Sequence, residues 1–190
     1  MEFDGDYVTL RWLISKALLE ERAAKEAARV GDLQALVELR KNRGYWSKSA
    51  CTEAAANGRL SILVYLHEEG CPWDKRVCRE ATRNGHLDCL RYAFQNGCPY
   101  SASSCCYGAA RNGHLDCLQY LCGQGCLCNE STYKAALLYM SGVQGEDPLY
   151  TGDRKCLEYL QSQDCPTTFG QRIYRTVRNM FRSNRKVLMY

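Results

Sequence analysis

The stretch Asn84-Gly85-His86-Leu87-Asp88-Cys89-Leu90 returns as Asn112-Gly113-His114-Leu115-Asp116-Cys117-Leu118, and a relaxed copy, Asn57-Gly58-Arg59-Leu60-Ser61-Ile62-Leu63, precedes both. Aligning the leucine that follows each turn places Leu33, Leu60, Leu87 and Leu115 at spacings of 27, 27 and 28 residues. A chain that repeats one short unit at a fixed period stacks small modules, each covering its neighbour's apolar face. What such an array offers first is a surface.

Within one unit, Val77, Cys78 and Ala81 mark one helical stripe, and Leu87, Cys89, Leu90, Ala93 and Phe94 mark a second. Ser47, Asp74, Ser101, Asn129 and Thr168 stand where the first helix of each unit begins, and all have N-cap chemistry; Thr168 adds Gln171 three residues on, as in a capping box. The Asn-Gly pair is expected to end that helix, both residues tolerating the left-handed conformation of a tight reversal. Gly70, Gly97 and Gly125 end the second helix in the same way. Cys71-Pro72-Trp73 and Cys98-Pro99-Tyr100 follow, and a proline there turns the chain toward the next unit.

This pattern resembles the ankyrin repeat, whose Ala-Ala-x-x-Gly-His-Leu core is visible as Ala109-Ala110-Arg111-Asn112-Gly113-His114-Leu115. The usual ankyrin period is about 33 residues, so the shorter period here implies a trimmed hairpin between units. It looks like the short, Cys-Pro-Trp-bearing variety common in protists, oomycetes and large DNA viruses. The resemblance covers roughly residues 20 to 170. It implies an all-α solenoid of stacked antiparallel helix pairs, a role in protein recognition, and no catalytic residues to carry over.

The totals agree with an ordinary globular chain: 190 residues, 46% apolar and 24% charged. No apolar run approaches the ~18 residues of a membrane span, and the first residues, Met1 to Asp6, carry acidic Glu2, Asp4 and Asp6 where a secretory signal is basic. A soluble, intracellular protein, cytoplasmic or nuclear, is expected. Most of the 13 cysteines recur at repeat positions, with Cys122 and Cys128 as extras. Cys71, Cys98, Cys126 and Cys165 start the Cys-Pro-like turn, Cys51, Cys78 and Cys105 lie 27 apart, and Cys89, Cys117 and Cys156 share a position with Ile62 and Ala35. Such positions read as small core hydrophobes. Equivalent sites in adjacent units usually lie beyond the ~7 Å reach of a bridge, so a disulfide ladder is not expected and a reducing compartment is.

Three segments depart from the period. Gly152 to Leu160 matches Gly113 to Leu121 at an offset of 39 residues where 28 is expected, so eleven residues are inserted between Met140 and Gly152. Their Gly and Pro content suits a surface loop, with Glu146 and Asp147 as contact residues if it has a dedicated role. Upstream, Leu10, Leu13, Ile14, Ala17 and Leu18 share one helical face, read as an N-terminal cap or alternatively as a partner-binding helix. Beyond Phe169 come Arg172, Arg175, Arg178, Arg182, Arg185 and Lys186 with no acidic residue. Taking those six from the 25 basic residues leaves 19 against 21 acidic, so the net positive charge lives in this tail. A capping helix with a solvated basic face and a contact with carboxylate or phosphate both fit it. The expected organisation is a capping helix over 1–19, repeats at about 20–46, 47–73, 74–100, 101–128 and 129–167 with an insertion at 141–151, and a terminal helix with basic tail over 168–190.

Candidate chemistry is thin. Cys117, Cys122, Cys126 and Cys128 cluster near His114, but they lack paired Cys-x-x-Cys knuckles, which argues against zinc. His86 and His114 begin second helices, where the resemblance implies a hydrogen bond across a turn. No nucleophile signature, phosphate loop or paired acidic motif supports an enzyme. No cofactor, metal, membrane or small-molecule substrate is expected. The candidate partner-binding surface is the inter-repeat turns and first-helix faces, carrying Trp46, Trp73, Lys75, Arg76, Arg79, Tyr100, Ser103 and Tyr107. The recurring aromatics also fit simple packing on the neighbouring turn. The expected partner is another protein or a large assembly; the alternative is nucleic acid, met by the basic tail.

Overall fold

A computed structural model describes residues 4–42, 44, 46–142 and 152–163, with side chains over 16–42, 44, 46–136 and 155–163. Among the described residues ten helices follow one another: α1 (Asp4–Val30), α2 (Leu33–Lys41), α3 (Lys48–Ala56), α4 (Leu60–Glu68), α5 (Lys75–Arg83), α6 (Leu87–Gln95), α7 (Ala102–Arg111), α8 (Leu115–Gly123), α9 (Glu130–Gly142) and α10 (Gly152–Ser162). The described residues contain no strand. No helix among them is long and apolar enough to cross a membrane. The chain divides into two compact units, Met1–Ser101 and Ala102–Tyr190.

In the first unit α1, α3 and α5 pack as one row, and α2, α4 and α6 back onto them. Small side chains let the first row approach closely: Ala24, Ala27 and Ala28 on α1, Ala50, Cys51, Ala54 and Ala55 on α3, Val77, Cys78 and Ala81 on α5, all buried. The second row supplies bulk through Leu36, Ile62, Leu63, Leu66 and Leu90. Each leucine so buried stabilises the fold by about 1.5–3 kcal/mol before entropy is counted. Thr82 is the buried polar exception on α5, and its hydroxyl donates to the carbonyls of Cys78 (2.9 Å) and Arg79 (2.8 Å). The second unit repeats the division, with α7 on α9 and α8 on α10. Cys105, Cys106, Ala109, Ala110, Ala135 and Ala136 are small and buried there, against Leu118, Leu121, Leu157 and Leu160.

The turns refine the sequence reading. Gly58, Gly85 and Gly113 take φ values of 67°, 76° and 73°, but Asn57 and Asn84 before the first two do not follow into the left-handed region. Asn57 and Asn84 sit at φ −109° and −104°. Their side-chain amides instead donate back to the carbonyls of Glu53 and Glu80, each at 2.9 Å, and Asn112 does the same to Gly108. Glycine makes the reversal; asparagine adds a side-chain bond to a carbonyl that its own backbone N–H already meets at 3.1–3.2 Å. Ser47, Asp74 and Asn129 cap α3, α5 and α9 as expected, accepting from the amides of Ser49, Arg76 and Thr132.

Two register details differ from expectation. Helix α7 carries ten residues where α3 and α5 carry nine, so counting back from the terminal asparagine puts Cys106, not Cys105, level with Cys51 and Cys78. Ser141 and Gly142 continue α9 instead of opening a loop. Helix α1 runs unbroken across residue 19, joining the expected cap to the first helix of the first repeat. Residues 143–151 of the insertion, with Glu146 and Asp147, lie outside the described residues, as do Thr168, Gln171 and the basic residues Arg172, Arg175, Arg178, Arg182, Arg185 and Lys186.

Candidate recognition surface

Each turn out of α2, α4, α6 and α8 places two side chains six residues apart against each other. In the first unit these are Arg40 with Trp46, His67 with Trp73, and Phe94 with Tyr100. Arg40 lies over the Trp46 ring with its guanidinium carbon 5.7 Å from the centroid, and it also donates to the Glu69 carboxylate (3.0 Å) and carbonyl (3.1 Å). His67 stacks flat on Trp73, centroids 3.9 Å apart and planes 15° apart. Tyr92 closes this group edge-on, sharing a 2.9 Å hydrogen bond with His67 Nδ1. Phe94 meets Tyr100 at 4.6 Å. Gly70, Gly97 and Gly125, all at positive φ, let the chain fold back after α4, α6 and α8, and the six-residue spacing then brings the pair together.

The expected surface residues are therefore differently placed. Trp46 is buried at 7% exposure, Trp73 is half-buried, and Tyr100 is exposed at 44%. Lys75 and Arg79 are exposed on α5, while Arg76 is half-buried and turned back on its own cap. Asp74 accepts from the Arg76 amide (2.9 Å) and from its guanidinium (3.2 Å), with Lys48 of α3 at 3.6 Å. Partial burial pushes the Asp74 carboxyl up, but the hydrogen bonds and charge of Arg76, with Lys48, hold it below the usual value. Arg79 donates to Glu80 at 2.9 Å. Ser103 is exposed and Tyr107 half-buried on α7 of the second unit, where Arg111 donates to the Tyr107 hydroxyl at 3.0 Å.

Within the first unit, two of the residues that open second helices tie neighbouring helix pairs together. His86 Nε2 meets the Ala56 carbonyl at the end of α3 (3.1 Å), and Arg59 reaches the Arg29 carbonyl at the end of α1 (3.5 Å). These acceptors are one period apart. Asp32, at the same position in the first pair, turns to its own helix and accepts from the Ala35 amide (3.0 Å). His86 thus has the structural role that the sequence implied. It also explains Gly58 twice over, since a Cβ there would lie 2.6 Å from His86 Nδ1.

The cysteines carry a pattern that the repeat spacing hid. Cys51 neighbours Cys71 closely enough for the two thiols to shift each other's titration, and Cys78 acts likewise on Cys98, each pair within one helix pair. Cys71 and Cys98 in turn face the carbonyls of the cap residues Ser47 (3.4 Å) and Asp74 (3.5 Å). The contacts fall between non-equivalent rows twenty residues apart, not between equivalent positions of successive repeats. Cys71 is held below the usual thiol range by Cys51, which is pushed up. Burial, with a neighbouring aspartate, raises Cys89 to about 11 and Cys117 to about 12, as inert core thiols behave. In the second unit the six-residue pair is Cys122 and Cys128, with sulfurs 2.9 Å apart. No described cysteine is in a disulfide, and among the described residues no group of three or more His, Cys, Asp or Glu is placed to hold a metal ion.

No family model matches the sequence, and no curated protein matches it. Among solved structures, the chain is similar to the human ASB11 ankyrin repeat domain, with a TM-score of 0.59 over 75% of this chain and 69% of that one, at 17% identity. The chain has an ankyrin-repeat fold: all-helical, built from repeated helix pairs.

Proposed function

We propose that this chain is a non-catalytic recognition module that binds another protein, as an adaptor or as a subunit of a larger assembly. The observation that carries the reading is the division of labour at the turns. Aromatic side chains there are engaged with Arg40, His67 and Phe94, while Lys75 and Arg79 on the adjoining first-helix face stay exposed. In this reading Trp46 and Trp73 stiffen the turn, Tyr100 offers an exposed ring, and Lys75, Arg76 and Arg79 choose an acidic partner. Within the second unit, Ser103 and Tyr107 are the corresponding face. Rigid elements presenting a few charged and aromatic residues suit protein recognition, because little side-chain freedom is lost on binding.

Charge reversal tests it. A Lys75→Glu/Arg79→Glu variant should retain its helical circular dichroism and lose the partner that the unaltered chain captures from its native extract. Undiminished capture would move the interface off α5.

A second reading rests on the run Arg172, Arg175, Arg178, Arg182, Arg185 and Lys186, in which no acidic residue intervenes. Contact with a phosphate backbone through that tail would weaken steeply with salt. Replacing Arg172, Arg175, Arg178 and Arg182 with Gln should then abolish RNA or DNA binding; unchanged affinity excludes the tail.

A further inference from the structure

We propose that Cys122 and Cys128, backed by Cys106, form a thiol oxidation site that hydrogen peroxide converts to an intrachain Cys122–Cys128 disulfide. The first argument is geometric. Three other turns show that residues six apart across this reversal pack side chain to side chain, so the juxtaposition belongs to the repeat and not to one rotamer. Here both members are cysteine, and their sulfurs lie 2.9 Å apart, less than an ångström beyond the ~2.05 Å of an S–S bond. Closing that gap asks for side-chain rotation at the end of α8 and in the loop before α9.

The second argument is chemical. Cys106 on α7 neighbours both sulfurs, and its own thiol is pushed up by its interactions with Cys122 and then Cys128 and by burial. Cys122 is held well below the usual thiol range by Cys106 first, then by Cys128, with Tyr159 of α10 adding to them. The thiolate is the nucleophile. It is also reachable, since Cys122 is only half-buried whereas Cys51, Cys78 and Cys106 are at 0% exposure. The buried pairs Cys51–Cys71 and Cys78–Cys98 are neighbours too, but they lack that access.

The steps balance without a further reactant. The Cys122 thiolate attacks one peroxide oxygen; an S–O bond forms, the O–O bond breaks, and hydroxide leaves to become water on taking a proton. The product is a sulfenic acid. The Cys128 sulfur attacks it, forming S–S, breaking S–O and releasing a second water once the Cys128 proton is transferred. Two thiols are oxidised by two electrons and one peroxide is reduced to two waters. The bond then ties the end of α8 to the entry of α9.

The test uses the full chain, reduced and desalted, then treated with stoichiometric hydrogen peroxide at neutral pH. Peptide mapping should find a Cys122–Cys128 crosslink and an intact mass lower by two hydrogens, with the other cysteines still alkylated on unfolding. Cys128→Ser should leave Cys122 as a sulfenic acid trapped by dimedone. Cys106→Ser should move the rate-against-pH profile of that trapping toward higher pH, a shift that loss of packing alone does not give. A crosslink between a different pair, or Cys122 and Cys128 both alkylated after treatment, overturns the proposal. The unaltered chain provides that result by itself, so a variant that fails to fold does not shield it.

Discussion

The turns after α4 and α8 use one backbone plan for two chemistries. After α4, His67 and Trp73 stack at 3.9 Å and gather Tyr92; after α8, the same spacing holds Cys122 and Cys128 at 2.9 Å. The reversal fixes which positions meet, and the residues there decide what meeting achieves. Aromatic rings bury area and stiffen the exit from a helix. Two thiols bury little and bring redox chemistry instead. A repeat protein can thus vary function at one turn while its rows of Ala, Cys and Leu keep the stack unchanged.

That contrast is broken most directly by truncation. Trp73→Ala removes a ring in contact with both His67 and Tyr92 and, allowing for its partial burial, should cost about 3 kcal/mol in urea unfolding. Cys122→Ala or Cys128→Ala should cost about 1 kcal/mol each under reducing conditions. Equal losses at the two turns would mean that the thiols pack as structurally as the rings.

Glycines give a smaller and more selective effect. Gly58 and Gly97 both have positive φ, 67° and 74°, but a Cβ meets His86 Nδ1 at 2.6 Å in one and nothing within 4 Å in the other. His86 cannot simply swing aside, because its Nε2 is bonded to Ala56. Gly58→Ala should therefore cost about 2 kcal/mol, and Gly97→Ala about 1 from the left-handed backbone alone. In a His86→Ala background the Gly58 cost should fall to the Gly97 value, a coupling that a double-mutant cycle measures. No coupling would remove His86 as the strut between α3 and α6.

How far the sequence alone leads depends on the range of the interaction. The Asn-Gly-His-Leu period specified helix pairs, and the caps Ser47, Asp74 and Asn129 fall at the helix starts because capping acts within three residues. Expectation missed where side chains fold back on their own unit. Asparagine's Nδ2 bond to the carbonyl four residues earlier looks identical in sequence to left-handed tolerance. The Cys51–Cys71 contact spans twenty residues across two helices, and a period search aligns equivalent positions, not partners. The 122–128 pair had a signal, the six-residue spacing shared with 67–73, legible only once that spacing is known to be a contact. Partner choice at Lys75 and Arg79 is a property of another molecule and leaves no local mark.

The smallest effect separates the two turns by charge. Trp73 is followed by the cap Asp74, whose carboxylate also holds Arg76 and Lys48; Cys128 is followed by the neutral cap Asn129. Because the folded Asp74 carboxyl titrates below its usual value, its charge adds stability that is full above the unfolded pKa of about 4 and is lost as pH falls through the lower folded value. Asp74→Asn keeps an oxygen for the cap and removes only the charge. It should cost about 0.5 kcal/mol at neutral pH, a figure kept low because Arg76 and Lys48 are substantially solvent-exposed. The gap from the unaltered chain should close as pH falls below the unfolded pKa of about 4 and through the lower folded value, and shrink in added salt. Asn129→Ala should cost about 1 kcal/mol as a lost cap, with no such pH dependence. A gap at Asp74 that persists unchanged into acid would assign its whole contribution to the cap and make the two turns electrostatically alike.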